Sequence, residues 1–316
     1  MSDIFQTLTQ CFDGFRDPTG QHLADAEKTL NQFYSDPAFI QVLIQYVSTE
    51  GIDEVYKKHG VVHFGILFGK YFLKCPAELQ EQIFNSYLPL LILPDSKYVR
   101  RYIRKYVQIG LKENYTQTVA NFIVQQQQNL NDIGIEASLY LLTMLVNHQE
   151  DNVMTLTPIS IPLIEAGLNS GSDDTKLAAV LHGILIANLI PTEEGSQLLT
   201  RYVECGTQLL INLTTSNNQE YDTNLDDLIK GLTYLLDQEP EGINTNQILE
   251  VCFKLLSNQA IVPNFRSRIQ SLSDILIMDS IDKIMEDPNQ IQMILHVYFQ
   301  YAQSIFDPNE LSYDMS

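Results

Sequence analysis

The chain has 316 residues, 45% of them hydrophobic and 18% charged, with 39 acidic against 19 basic side chains and a net charge of −20. That length exceeds the size at which a single hydrophobic core stops growing. So acidic a balance argues against direct nucleic-acid binding, where basic domains are the rule, and suits basic protein partners drawn in by long-range attraction.

In chain order, residues 3–15 read as a short helix and Arg16-Asp17-Pro18-Thr19-Gly20 as a turn. Residues 22–34 form a second helix with Leu23, Ala26, Leu30 and Phe33 inward. Ser35-Asp36-Pro37 then supplies a break, a cap and a first-turn proline. The spacing predicts further pairs at 37–49 with 54–74, 76–93 with 96–111, and 115–128 with 132–148. Beyond these come 153–168 with 173–189, 193–213 with 222–237, and 243–256 with 262–278. A last helix, 288–306, has no evident partner. Second helices begin near residues 20, 54, 96, 132, 173, 222 and 262, a period of roughly 40 that suits HEAT or armadillo hairpins. No strand-like alternation competes with this pattern. The expected fold is all-α: one α-solenoid over 1–316, with about seven hairpins stacked neighbour on neighbour and a final helix.

The clearest pair is PAELQEQIFNSYLPLLILPDSKYVRRYIRKYVQIGL, residues 76–111. Its first helix carries Leu79, Ile83, Phe84, Tyr87, Leu88 and Leu91 on one face, and Pro76 sits at a helix start. Leu93-Pro94 breaks it, and Asp95 or Ser96 can cap the next helix. That helix places Val99, Tyr102, Ile103, Tyr106, Val107 and Leu111 on one face. Lys97, Arg100, Arg101, Arg104 and Lys105 are read on the other, as a docking face for an acidic partner or as solvated surface with one arginine pairing Asp95.

Cys11, Cys75, Cys205 and Cys252 are scattered, without the spacing of a zinc site or a disulfide framework, which suits a reducing compartment. The start MSDIFQTLTQ lacks the charged and apolar regions of a signal peptide. The longest apolar run, 177–190, is interrupted by His182 and Asn188 and falls short of the ~20 residues that span a bilayer, so no membrane insertion is expected. No phosphate-loop, zincin or nucleophile-elbow motif is present, so neither an enzyme nor a cofactor is expected. His59 and His63 stand four apart, but without a third ligand nearby they read as an ordinary packed or surface pair. Asp222, Asp226 and Asp227 fit helix capping and the helix dipole. Asp226 and Asp227, taken with Asp25, Glu27, Asp53, Glu54, Asp132, Glu136, Asp173 and Asp174, would line a negative inner wall if the second helices face the concave side.

The stretch PTGQHLADAEKTLNQFYSDPAFIQVLIQYV resembles the importin-β N-terminal motif: a short first helix, Ala26-Glu27 followed by Leu30, then a helix led by Pro37. Leu88-Pro89, Asp95 and Val99-Arg100 resemble the HEAT consensus, in which Asp and Arg form ladders between repeats. The later Thr175-Lys176-Leu177-Ala178-Ala179 and Asn264-Phe265-Arg266-Ser267-Arg268 are similar to β-karyopherins that carry ribosomal proteins and histones. The chain departs from the family in lacking its Leu-Lys-Asn segment and any tryptophan; Lys57 and Lys58 stand where its basic stretch would be. The importin-like part is residues 1–111, with further HEAT repeats over 112–316.

The resemblance implies a nuclear transport receptor present in cytoplasm and nucleus. Such a receptor binds the GTP form of the small GTPase Ran through its N-terminal second helices and meets nucleoporins. It carries basic protein cargo on acidic residues, with Asp173, Asp174, Asp226 and Asp227 as candidates here. Lys97, Arg100, Arg101, Arg104 and Lys105 are partner candidates because they lie on one of the Ran-facing helices. A HEAT scaffold that assembles a protein complex is the other reading, and a nucleotide-dependent interaction with Ran separates the two.

Overall fold

The structure, a computed structural model, describes residues 2–305 except 18, 21, 129–130, 149–152, 190–192, 217–221, 238–244, 280 and 287. Pro18 in the expected first turn, Ile243 at an expected helix start, Ile190, Phe306 and the side chain of Asp222 lie outside the described residues. Among the described residues every regular element is helical. The chain divides into two compact units, Met1–Gln149 and Glu150–Ser316.

In the first unit the helices are α1 (Ser2–Arg16), α2 (Leu23–Phe33), α3 (Phe39–Ser48), α4 (Glu54–Tyr71), α5 (Ala77–Tyr87), α6 (Lys97–Lys112), α7 (Thr116–Gln126) and α8 (Asp132–His148). They pack as successive hairpins, α1 on α2, α3 on α4 and α7 on α8, with second helices side by side as α4 on α6 and α6 on α8. The starts are set by short polar side chains. Asp53 Oδ1 accepts the Val55 amide at 2.9 Å to cap α4, and Ser96 Oγ accepts the Val99 amide at 3.2 Å to cap α6. Asn131 Oδ1 does the same for Gly134 at the head of α8, at 2.8 Å. Gly20 turns the chain at φ 69°, a conformation that glycine adopts without a Cβ penalty.

Two expected helices end early. The helix expected over 76–93 stops as an α-helix at Tyr87, and Leu88–Ile92 tightens into a 3-10 turn against which α6 packs. Pro89 is the cause, since it has no N–H to give the Asn85 carbonyl and its ring crowds that oxygen. Likewise α4 gives way to a 3-10 turn at Phe72–Lys74. Between these helices lies an aromatic core. Phe68 stacks on Phe72 at 4.2 Å and Phe84 on Tyr115 at 4.8 Å, while Phe64, Phe68 and Phe84 meet Tyr87 at 5.1–5.9 Å. Phe64, Phe68, Phe72, Phe84 and Tyr87 are all fully buried.

The second unit holds α9 (Val153–Leu168), α10 (Asp173–Leu189), α11 (Glu193–Thr215), α12 (Asp222–Asp237), α13 (Thr245–Leu256), α14 (Pro263–Asp279), α15 (Ile281–Met285) and α16 (Pro288–Ile305). Hairpins α9–α10, α11–α12 and α13–α14 recur, with α10 on α12 and α12 on α14. Pro263 opens α14 at the position where a helix tolerates proline. The expected partnerless final helix does have neighbours: α16 rests on α13 and on the short α15, with Tyr298 edge-on to Phe253 at 6.4 Å and its hydroxyl donating to Asp274. At its α15–α16 end this unit exposes Met285, Leu295 and Phe299. No described helix is long and apolar enough to cross a membrane.

Candidate functional site

The five cations expected on one outer face of α6 do not share one. Arg100 and Arg104 are buried, while Lys97 and Arg101 are half-buried and Lys105 is exposed. The physical reason is that α6 is flanked by α4 on one side and α8 on the other, so its covered arc is wider than its apolar stripe. Arg100 Nη1 donates to the carbonyl of Leu93 at 2.6 Å and reaches that of Pro94 at 3.4 Å, tying the helix to the loop that precedes it. Arg104 Nη2 pairs with Glu136 Oε1 of α8 at 2.6 Å, both side chains almost fully buried, and its guanidinium lies 3.9 Å from the Tyr140 ring centroid.

Asp95, offered as an arginine partner or a cap, instead pairs with Lys57 of α4, a lysine only 1% exposed. Ionic rungs therefore join consecutive second helices: Lys57 of α4 to Asp95 before α6, then Arg104 of α6 to Glu136 of α8. The second unit repeats the motif. Arg268 of α14 pairs with Asp226 of α12, and Asn212 Nδ2 of α11 donates to Asp173 Oδ1 of α10 at 3.2 Å. Of the ten acids expected on an inner wall, Glu136 is thus buried in a rung, Asp53 caps a helix, and Asp173 and Asp226 serve neighbouring helices. Glu54 and Asp174 are half-buried, whereas Asp25, Glu27, Asp132 and Asp227 are exposed.

Between α4 and α6 lies a strip that the sequence did not single out. Tyr98 stacks on Tyr102 with centroids 5.8 Å apart and planes 23° apart. Lys58 Nζ sits 5.2 Å from the Tyr98 centroid, and Lys105 Nζ 3.8 Å from that of Tyr102 and 5.1 Å from that of Tyr106. Tyr106 closes the strip inward, edge-on to Phe64 and Phe68. Gly65 of α4 is what admits it, because a Cβ there would overlap the Tyr106 phenol. The order of contacts, Lys58 with Tyr98 and Gly65 with Tyr106, shows α4 and α6 running in the same direction. The sequence signal was a period-four row of tyrosines, 98, 102 and 106, alongside the cations 97, 101 and 105. It was hidden by assigning Tyr102 and Tyr106 wholly to the core.

His59 and His63 turn out to be packing residues. Both rings stack on Phe12 and Phe15 of α1 at 5.4–6.4 Å, and His63 Nδ1 hydrogen-bonds the Tyr34 hydroxyl. Burial holds the His63 imidazolium pKa down to about 4. Among the described residues no group of three or more ligating side chains comes together. A polar cleft of 440 Å³ between α5 and α7 is lined by Glu81, Asn85, Pro89, Asn121 and Gln125, the first of four consecutive glutamines.

No family model and no curated protein sequence matches this chain. Its fold, however, is that of solved helical karyopherins. It matches Kap121p bound to RanGTP with a TM-score of 0.60 and 18% identity, over 94% of this chain and 28% of that one. The karyopherin Kap121p bound to the SUMO protease Ulp1p matches at 0.58, with 17% identity over 94% and 29% of the two chains. Kap121p bound to Nup53p matches at 0.55, with 17% identity over the same shares. The chain therefore has the α-solenoid fold seen in these structures and spans less than a third of the length of the solved chains it matches.

Proposed function

We propose that this chain acts as a karyopherin-β-like nuclear transport receptor that moves between cytoplasm and nucleus. Its N-terminal second helices α2, α4 and α6 bind the GTP form of the small GTPase Ran, and its acidic second-helix ends, Asp174 and Asp227 with Asp173 and Asp226 beside them, bind basic protein cargo. Nucleoporins are the further class of partner. The observation that carries the reading is the likeness over 94% of the chain to a karyopherin crystallised with RanGTP. The net charge of −20 supports the choice of basic cargo by long-range attraction. Release of cargo on GTPase binding is then a coupling free energy between two sites, of the order of 1–3 kcal/mol.

The deciding experiment is a titration of the full chain against Ran locked in its GTP form and, separately, in its GDP form. Saturable binding to the GTP form alone is expected. Equal binding to both forms, or to neither, would overturn the receptor reading and favour a scaffold. The residues to reverse on α6 are Lys97, Arg101 and Lys105. Glutamate at Arg100 or Arg104 would test folding instead, because both guanidinium groups are buried on internal acceptors. If that face takes part, the Lys97→Glu/Arg101→Glu/Lys105→Glu variant keeps its melting temperature and loses GTPase affinity.

A further inference from the structure

The helix α16 is a neutral stretch of a strongly acidic chain. Its 18 residues include no Asp, Glu, Lys or Arg, whereas the molecule carries a net charge of −20. In the second unit the hairpins stack in two rows: α11, α13 and α16 form one, and α12, α14 and α15 the other. One side of α16 rests on α13 and α15 and buries Val297 and Tyr301. Another side meets solvent with apolar groups, Leu295 being 64% and Phe299 63% exposed. Half-buried Ile291 and Ala302 extend that stripe, at spacings of four, four and three residues, and exposed Gln292 and Gln303 border it.

Charge, symmetry and packing together select what covers the stripe. A partner drawn in by charge finds no counter-charge on α16, while two copies of the stripe bring no like charges together. Leu295 and Phe299 stand on either side of the helix midpoint, which falls between His296 and Val297. A two-fold axis there, with the helices antiparallel, sets each Leu295 on the Phe299 of the other copy, the self-complementarity of an isologous contact. The pairing also continues the side-by-side helix packing that joins α11 to α13 and α13 to α16. The size of the face sets the strength. An 18-residue helix is about 27 Å long and about 10–12 Å across, so one side offers a footprint of about 300 Å². Standard interfaces remove about 800 Å² from each partner, which puts this contact among the weak ones, with a dissociation constant of about 10–100 µM.

We infer that α16 is the interface of a weak two-fold dimer of this chain, in which Leu295 of one copy packs on Phe299 of the other. The inference goes beyond the receptor reading and needs neither GTPase nor cargo.

The test is sedimentation velocity of the full chain alone, from about 1 to about 200 µM. A shift from monomer to dimer across that range is expected. Leu295→Lys and Phe299→Glu should each weaken the dimer more than tenfold and keep the melting temperature of the parent, since both side chains are mostly exposed. Mixed one to one, the two variants should recover a dimer. One contact then sets the introduced cation against the introduced carboxylate, and the other keeps the native leucine and phenylalanine. If either variant melts early, Leu295→Gln/Phe299→Gln replaces it, with about a tenfold loss expected. Val124→Lys, at an exposed apolar position of α7, should leave the dimer unchanged. Raising the salt from about 0.05 to about 0.3 M should tighten it, because screening relieves the repulsion between two acidic copies. A monomer throughout the range, the outcome if a different protein covers the stripe, would overturn the inference. So would an equal loss in Val124→Lys, a dimer weakened by salt, growth beyond the dimer, or no recovery on mixing. None of these outcomes bears on GTP-dependent binding, which the separate titration decides.

Discussion

At the scale of single residues, the buried pair Arg104–Glu136 has the largest consequence. Taking two charges out of water costs several kcal/mol each, and removing one partner leaves the other without compensation. Arg104→Met should therefore destabilise the first unit by about 3–5 kcal/mol, read as a lower urea midpoint. Arg104→Met/Glu136→Leu should recover most of that loss, and a double variant as unstable as the single one would show that packing rather than charge sets the effect. His182 offers a second test. It is fully buried on α10, bonded to Ser160 Oγ at 3.0 Å, and burial holds its imidazolium pKa down to about 4. Since the unfolded chain takes up that proton near pH 6.5 and the folded one only near 4, stability contributed by neutral His182 is present above pH 6.5. It falls away as the pH drops through that window, by as much as ~3 kcal/mol. His182→Gln should flatten the fall of the melting temperature between about pH 7 and pH 4.5. An unchanged slope would assign the acid sensitivity elsewhere.

At the scale of elements, hairpin order and most helix boundaries were legible in the sequence because caps and breakers act locally. Asp53, Ser96 and Pro263 each stand at a helix start that they specify by themselves. What could not be read was how wide an arc each helix buries. Periodicity gives the direction of an apolar stripe, but Arg100 and Arg104 lie beyond its edge and are covered because neighbours close in from both sides. The five-residue α15 escaped for a different reason, being too short to display a period. The placement of α16 over α13 makes a prediction at this scale. Cys252, fully buried on α13 with its thiol pKa pushed up to about 12, should resist a soluble disulfide reagent, whereas half-buried Cys205 reacts first. Tyr298→Ala, which removes the α16 ring facing Phe253, should speed Cys252 labelling several-fold. No change would mean that α14 alone covers the thiol.

At the scale of the whole molecule, charge dominates. With 39 acidic and 19 basic side chains, self-repulsion opposes the compact state, and salt screens it. The melting temperature should rise between roughly 0.02 and 0.2 M salt. A fall would show that attractive pairs, the rungs above all, outweigh the net repulsion. The likeness to karyopherins was legible from the first hundred residues and from the HEAT spacing, and comparison of folds supports it. The strip of Lys58, Tyr98, Tyr102 and Lys105 was less legible, because it depends on side chains brought together from α4 and α6, forty residues apart.

The rungs also say how a stack of hairpins can deform. Lys57–Asp95, with its lysine buried and its carboxylate exposed, and the wholly buried Arg104–Glu136 each fix one second helix against the next at a single point. Rotation about such a point costs little, since the charged groups stay together while the surrounding side chains re-settle. Sliding one hairpin along its neighbour by one turn, about 5.4 Å, separates the charges and leaves Lys57, Arg104 and Glu136 buried without their ionic partners. The first unit is thereby built as a set of pivots rather than slides: it can change curvature under load and return, but it cannot lose its place.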